Sequence, residues 1–133
     1  MIFIDAGAFI GQHLRRDPYH GQAVAAWKRI LRTREPCLTS NFVLNEAFTF
    51  IARQAGYRIA AERARNIYTS QQLQIHRPQQ EDELAALEYF EKFADQRVSF
   101  TDCISFVLMS KNKVRRVFTF DHHFAFAGFT LYP

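Results

Sequence analysis

The chain is predicted to fold as a single α/β domain spanning residues 1–133, with a central parallel sheet of four or five strands covered by helices on both faces. Three observations carry this expectation. Short runs of branched and aromatic residues, Ile2-Phe3-Ile4, Cys37-Leu38, Leu73-Gln74-Ile75 and Val117–Phe120, alternate with longer stretches of helical periodicity. Such alternation is what β-α-β crossovers produce when a sheet is buried on both sides. At 133 residues, 48 % hydrophobic and with 14 phenylalanines, the chain has enough apolar surface for one core and too much for disorder.

Taken in order, the first strand stops at Asp5, and a first helix fits Ala8 to about Leu14. Residues 20–34 place Val24, Trp27, Ile30 and Leu31 on one helical face, and Pro36 ends that helix. After Cys37-Leu38, Ser40 or Asn41 can cap a helix running to about Gln54. Gly56 breaks it, and a basic helix follows over 58–70. Pro78 closes the third strand, and a helix over 80–94 is expected to turn Leu84, Leu87 and Phe90 or Phe93 inward. Ser99-Phe100-Thr101-Asp102 has the spacing of a capping box, opening a helix that reaches about Ser110. Residues 116–120 form the fourth strand, and 129–132 supply a candidate fifth.

The net charge is +4, unevenly spread. Residues 1–80 hold eleven Lys or Arg against five Asp or Glu, whereas 81–95 hold six acids against Lys92 alone. A basic surface over the first part favours a polyanion such as RNA, and an ordinary solvated surface is the plain alternative. No apolar run approaches the roughly 18 residues of a membrane span. The start MIFIDAGAFI lacks the basic segment of a signal peptide, so a cytoplasmic protein without membrane contact is expected. Cys37 and Cys103 lie in apolar segments and are read as free, buried thiols.

Four acids stand where chemistry would be placed. Asp5 follows the first strand and Asp121 the fourth, in VFTFDHHF. Asp102 lies in the first turn of one helix and Glu46 about five residues into another. Sites in open α/β sheets form beyond the carboxyl ends of the strands, so all four can meet in one cleft. Singly, each has a structural explanation: a turn for Asp5 or Asp121, a helix dipole for Asp102, solvent for Glu46. Jointly they repel, by roughly 4 kcal/mol for two charges about 4 Å apart at an effective dielectric near 20. A hard divalent cation such as Mg²⁺ relieves that repulsion and suits oxygen ligands. No His/Cys spacing suits zinc, and the adjacent His122 and His123 read as loop residues.

The segments FIDAGAFI around Asp5, SNFVLNEAF around Glu46, SFTDCISFVLM around Asp102 and VFTFDHHFAFAGF around Asp121 resemble, in that order, those of PIN-domain ribonucleases. The compact length resembles the VapC-type toxins of VapBC toxin–antitoxin pairs. The resemblance covers the whole chain and implies a three-layer α/β/α fold. It implies that Asp5, Glu46, Asp102 and Asp121 form a catalytic quartet holding Mg²⁺, with Mn²⁺ able to substitute. Thr101 and Thr119, beside two of these acids, are expected to orient carboxylates or water. Asp5 and Asp121 are the expected direct ligands. Gly7 occupies a position where many relatives carry a small hydroxyl residue.

The implied activity is a Mg²⁺-dependent endoribonuclease toxin of a type II toxin–antitoxin system. It would hydrolyse RNA to 5′-phosphate and 3′-hydroxyl ends and so block translation, with the sarcin–ricin loop of 23S rRNA or a transfer RNA as target. Its partners would be a VapB-type antitoxin and a second copy in a homodimer. Arg53, Arg58, Arg63 and Arg65 are candidate RNA contacts, with Arg15, Arg16, Lys111 and Lys113 on the rim. Trp27, Val24 and Leu31 are core residues or a groove for the antitoxin. Other acid-after-strand enzymes fit less well. A haloacid-dehalogenase-type phosphatase needs an acid where Gly7 stands, and a receiver domain needs a phosphoacceptor where His76 follows the third strand. The non-enzyme alternative is an RNA-binding or assembly domain of the same fold without activity.

Overall fold

A computed structural model describes residues 1–133. The elements run β1 (Ile2–Ile4), α1 (Ala6–His13), α2 (His20–Thr33), β2 (Cys37–Ser40), α3 (Asn41–Ala55), α4 (Tyr57–Tyr68), β3 (Leu73–His76), α5 (Gln80–Lys92), α6 (Phe100–Lys111), β4 (Arg116–Phe118), α7 (His123–Phe126) and β5 (Thr130–Tyr132). All pairings are parallel, in the order β3-β2-β1-β4-β5. The sheet therefore has five strands, and β1 and β2 are buried along their whole length: β1 is an apolar run, and in β2 the buried Thr39 hydroxyl donates to the Ile4 carbonyl at 2.8 Å.

Helices α1 to α4 pack among themselves, and α5 packs on α6. The first two crossovers move from β1 outward to β3, and the third returns across the sheet to β4. Right-handed crossovers then put α1–α4 on one face and α5 and α6 on the other. The direction of winding reverses between β1 and β4, and the crevice at a switch of this kind is where ligands bind. Both strands end on that side in an acid-bearing segment.

Local chemistry explains the helix positions. Ser40 caps α3 by accepting from the Val43 amide at 3.2 Å, and Ser99 caps α6 by accepting from the Asp102 amide at 3.0 Å. Gly56 joins α3 to α4 at φ +102, a conformation that favours glycine. Gly11 lets α1 approach α2, since a Cβ there would lie 2.8 Å from the Ala23 Cβ. Trp27 is core: its ring packs on Phe9 and Phe118, and its indole N–H donates to the Ala8 carbonyl at 2.9 Å. Of its expected companions, Ile30 is buried, whereas Leu31 is exposed.

Two expectations need correction. Strand β4 stops at Phe118, short of residue 120, and Asp121 stands in a turn beyond it. Helix α5 is rotated from its expected setting: Leu84, Leu87 and Phe90 are 56 %, 42 % and 45 % exposed, and Ala86 and Asp82 are buried. Tyr89 and Phe93 are the aromatics that face inward, each packed on Phe106. Cys37 and Cys103 are free and buried, and burial pushes both thiols up to about 11.

Candidate active site

The carboxyl ends of β1 and β4 open into a cleft of about 410 Å³ lined by Asp5, Glu46, Asp102 and Asp121. Asp5 is the residue between β1 and α1, and its amide donates to the Phe118 carbonyl at 3.0 Å, fastening it to β4. Asp102 sits in the first turn of α6 and Glu46 on the second turn of α3. Two capped helices and two neighbouring strands thus deliver four acids to one place.

Hydrogen bonds fix the acids relative to one another. The Thr119 hydroxyl donates to Asp5 Oδ2 at 2.7 Å and accepts from the Asp121 amide at 3.0 Å. Asp121 Oδ1 accepts from the His123 amide at 2.9 Å, which is the turn chemistry available to any Asp at a strand exit. Asp121 is therefore both a turn residue and a wall of the cleft.

Electrostatics mark the site as incomplete by itself. Burial, then the charges of Glu46 and Asp121, push Asp5 up to about 6 against the pull of its Thr119 and Ala6 hydrogen bonds. Asp102 is pushed up to about 8, first by burial and then by Asp5 and Asp121. Glu46 is raised by burial and by Asp121. Carboxylates that share one desolvated space hold protons they would lose in water. The donors are hard oxygens converging from four segments, which fits a divalent cation of the Mg²⁺ or Mn²⁺ kind.

His123 joins this set, contrary to the loop reading of the His pair. Asp102, Asp121 and His123 can present ligand atoms within 4.8 Å of one another, and His123 Nδ1 lies 3.0 Å from Asp121 Oδ1. His122 instead packs on Phe126. Thr101 is not among the residues that line the cleft; its carbonyl accepts from the Ser105 hydroxyl at 3.1 Å. Arg53, Arg58, Arg63 and Arg65 are exposed, and none lines the cleft. Arg63 belongs to a separate groove with Phe9, His13, Trp27, Leu31 and Ile67. Burial, then the Arg63 charge, hold His13 there at about 4, so it is neutral at pH 7. The cation that does line the acidic cleft is Arg97, just before the α6 cap, at φ 54. Arg15 and Arg16 line an adjoining hollow that shares Asp17 and Phe50 with the cleft.

The model of the PIN domain matches residues 2–129. The chain belongs to the PIN-domain family. Among PIN-domain relatives it is similar to the 23S rRNA-specific endonuclease VapC20 of Mycobacterium tuberculosis, in both strain CDC 1551 / Oshkosh and strain ATCC 25618 / H37Rv. Identity to each is 32 % over 130 residues, covering 97 % of this chain and 95 % of the relative. The crystal structure of Mycobacterium tuberculosis VapC20, described as a sarcin–ricin loop cleaving toxin, superposes with a TM-score of 0.85 at 30 % identity. That match covers 98 % of this chain and 97 % of the other. No helix of the PIN domain is long and apolar enough to cross a membrane.

Proposed function

We propose that this protein is a metal-dependent endoribonuclease toxin of the VapC type, cutting the sarcin–ricin loop of 23S rRNA. The observation that carries the reading is the meeting of Asp5, Glu46, Asp102 and Asp121 in one cleft at the switch point of the sheet. Similarity over nearly the whole chain to a relative named for 23S rRNA cleavage supports the choice of substrate. Asp5 and Asp121, linked through Thr119, would hold Mg²⁺, with Mn²⁺ able to substitute, and Glu46 and Asp102 would complete the site. Once bound, the ion supplies Lewis acidity toward the phosphodiester and favours ionised water as nucleophile. The residues of the chain align this chemistry. The Thr119 hydroxyl keeps Asp5 Oδ2 in one orientation, and Asp5 and Asp102 are the buried members of the quartet. Glu46, raised by burial and by Asp121, and Asp102, raised to about 8, are the residues placed to accept and pass on a proton.

The products are expected to carry 5′-phosphate and 3′-hydroxyl ends. A cytoplasmic protein of this kind pairs with a VapB-type antitoxin and forms a homodimer, and the groove with Trp27, Leu31 and Arg63 is the expected antitoxin seat. The deciding experiment incubates the purified, partner-free protein with 23S rRNA and Mg²⁺ or Mn²⁺, then maps 5′-phosphate ends. One cut in the sarcin–ricin loop, stopped by chelator and lost in Asp5→Asn and Asp121→Asn, is expected, with rates at least about a thousandfold lower in each variant. Binding of RNA without cutting under either metal would leave a non-enzymatic RNA-binding domain as the better account.

A further inference from the structure

We propose that the Tyr19 ring is the platform on which an unpaired base of the RNA stacks while its neighbouring phosphate is held over the acids. The proposal rests on the endoribonuclease reading above and makes Tyr19 a specificity-determining residue. Tyr19 ends the loop between α1 and α2, where its amide donates to Asp17 Oδ2 at 3.0 Å. Its ring lies parallel to Phe120, with centroids 4.4 Å apart and planes 8° apart. Phe120 precedes Asp121 directly, so the chain segment that carries one acid also carries the ring beneath the platform.

One side of Tyr19 is taken by Phe120, yet the residue remains 44 % exposed. Aromatic pairs elsewhere include edge-to-face contacts, as Phe106 and Phe124 at 89°, and a stacked one, Tyr89 and Phe93 at 14°, but none of these rings lines the cleft. A flat, half-open two-ring stack beside a catalytic cleft is a different arrangement. Tyr19, Phe120 and the four acids all line that one cleft. Gly7 offers no side chain over Phe120; even a Cβ there would lie 3.6 Å from Phe120 Cδ2.

The charges in the cleft explain why a ring is needed. Its lining carries Asp17 in addition to the four acids, against a single Arg97. Once a cation has engaged the phosphate, little charge remains to hold the flanking nucleotides. Aromatic faces hold bases without regard to charge, and in RNA they reach bases already out of the helical stack. A paired base in an A-form stem cannot lie on Tyr19, so loops and bulges are selected.

The test uses an RNA hairpin with the sarcin–ricin loop sequence and a set of the same hairpins with one base at a time removed around the cut. In single-turnover cleavage with Mn²⁺, removal of one flanking base is expected to lower kcat/KM about five- to a hundredfold, chiefly through KM. Tyr19→Leu, which keeps an apolar contact with Phe120, should show that loss on intact RNA and no further loss on the abasic hairpin. Tyr19→Phe should behave as the parent. Thermal melting and calorimetric Mn²⁺ affinity should be unchanged in both variants, separating stacking from folding and from the metal site. An abasic penalty that survives in Tyr19→Leu, or full cleavage of intact RNA by that variant, would overturn the platform while leaving the nuclease reading intact. Failure of the parent protein to cut any hairpin would remove both.

Discussion

The Thr119 hydroxyl donates to Asp5 and accepts from the Asp121 amide, so one uncharged side chain couples two acids from different strands. Thr119→Val is expected to lower metal affinity and cleavage by about 10- to 100-fold, as loss of an outer partner of a ligand typically does. Thr119→Ser should restore most of it; equal losses in both would mean that volume, not the hydroxyl, matters. The same residue type at Thr101 makes no such link, and the difference is geometric. Thr119 lies in the turn leaving β4, where its hydroxyl reaches the amide two residues ahead and, across the sheet, Asp5 after the neighbouring strand. Thr101 and Asp102 are consecutive on α6, where neighbours point about 100° apart. The four acids were legible because strand ends and helix caps are written locally, in IDA, NFVLNE, SFTD and TFD. Arg97 and Tyr19 were not, since only the meeting of loops distant in the chain brings them to the cleft, and His123, although beside Asp121 in the sequence, could not be told from His122 by spacing alone.

Helix α5 shows where element-level reading fails. Its sequence holds two apolar stripes, and spacing alone cannot say which faces the sheet. Tyr89 and Phe93 are turned in against Phe106, 5.4 Å and 6.2 Å away between centroids. A polar clamp fixes the same rotation. Asp82 accepts from the Gln79 amide at 2.9 Å and from Lys111 Nζ at 3.1 Å, tying the start of α5 to the end of α6. The Gln79 bond, with help from Lys111, holds its carboxyl below the usual range despite burial. Replacing Leu84 or Leu87 by Ser should therefore change unfolding free energy by no more than about 0.5 kcal/mol in urea titrations. Phe106→Ala should lower it by about 3–5 kcal/mol. A large loss from Leu84→Ser in dilute, monomeric protein would restore the setting that spacing first suggested. The strands were easier to read than this helix, because β1 and the Cys37-Leu38 start of β2 are apolar and every residue of both strands is buried, which leaves no choice of face.

At the scale of the whole molecule, the site strains the fold that carries it, and pH sets the size of the strain. Burial and mutual repulsion raise Asp5 to about 6 and Asp102 to about 8, above their ordinary value of 3.8. Between those limits the folded state binds more protons than the unfolded one, so metal-free stability must fall as pH rises from about 4 through about 8. The loss should be on the order of 3 kcal/mol, since the two groups titrate together and their separate shifts do not add. A divalent ion reverses the trend. It needs the deprotonated carboxylates, displaces their protons on binding, and stabilises the folded state in proportion to its occupancy. Melting curves at pH 5.5 and 8.5 should thus show the metal-free protein more stable in acid, and Mg²⁺ or Mn²⁺ raising Tm far more in base. Asp102→Asn, which removes the most strongly raised carboxyl, should flatten the metal-free pH dependence and weaken the metal-induced rise in Tm. Metal-free stability that climbs from pH 5.5 to 8.5 would mean that these acids are paired or solvated rather than crowded, and would remove the physical reason for a cation in the cleft.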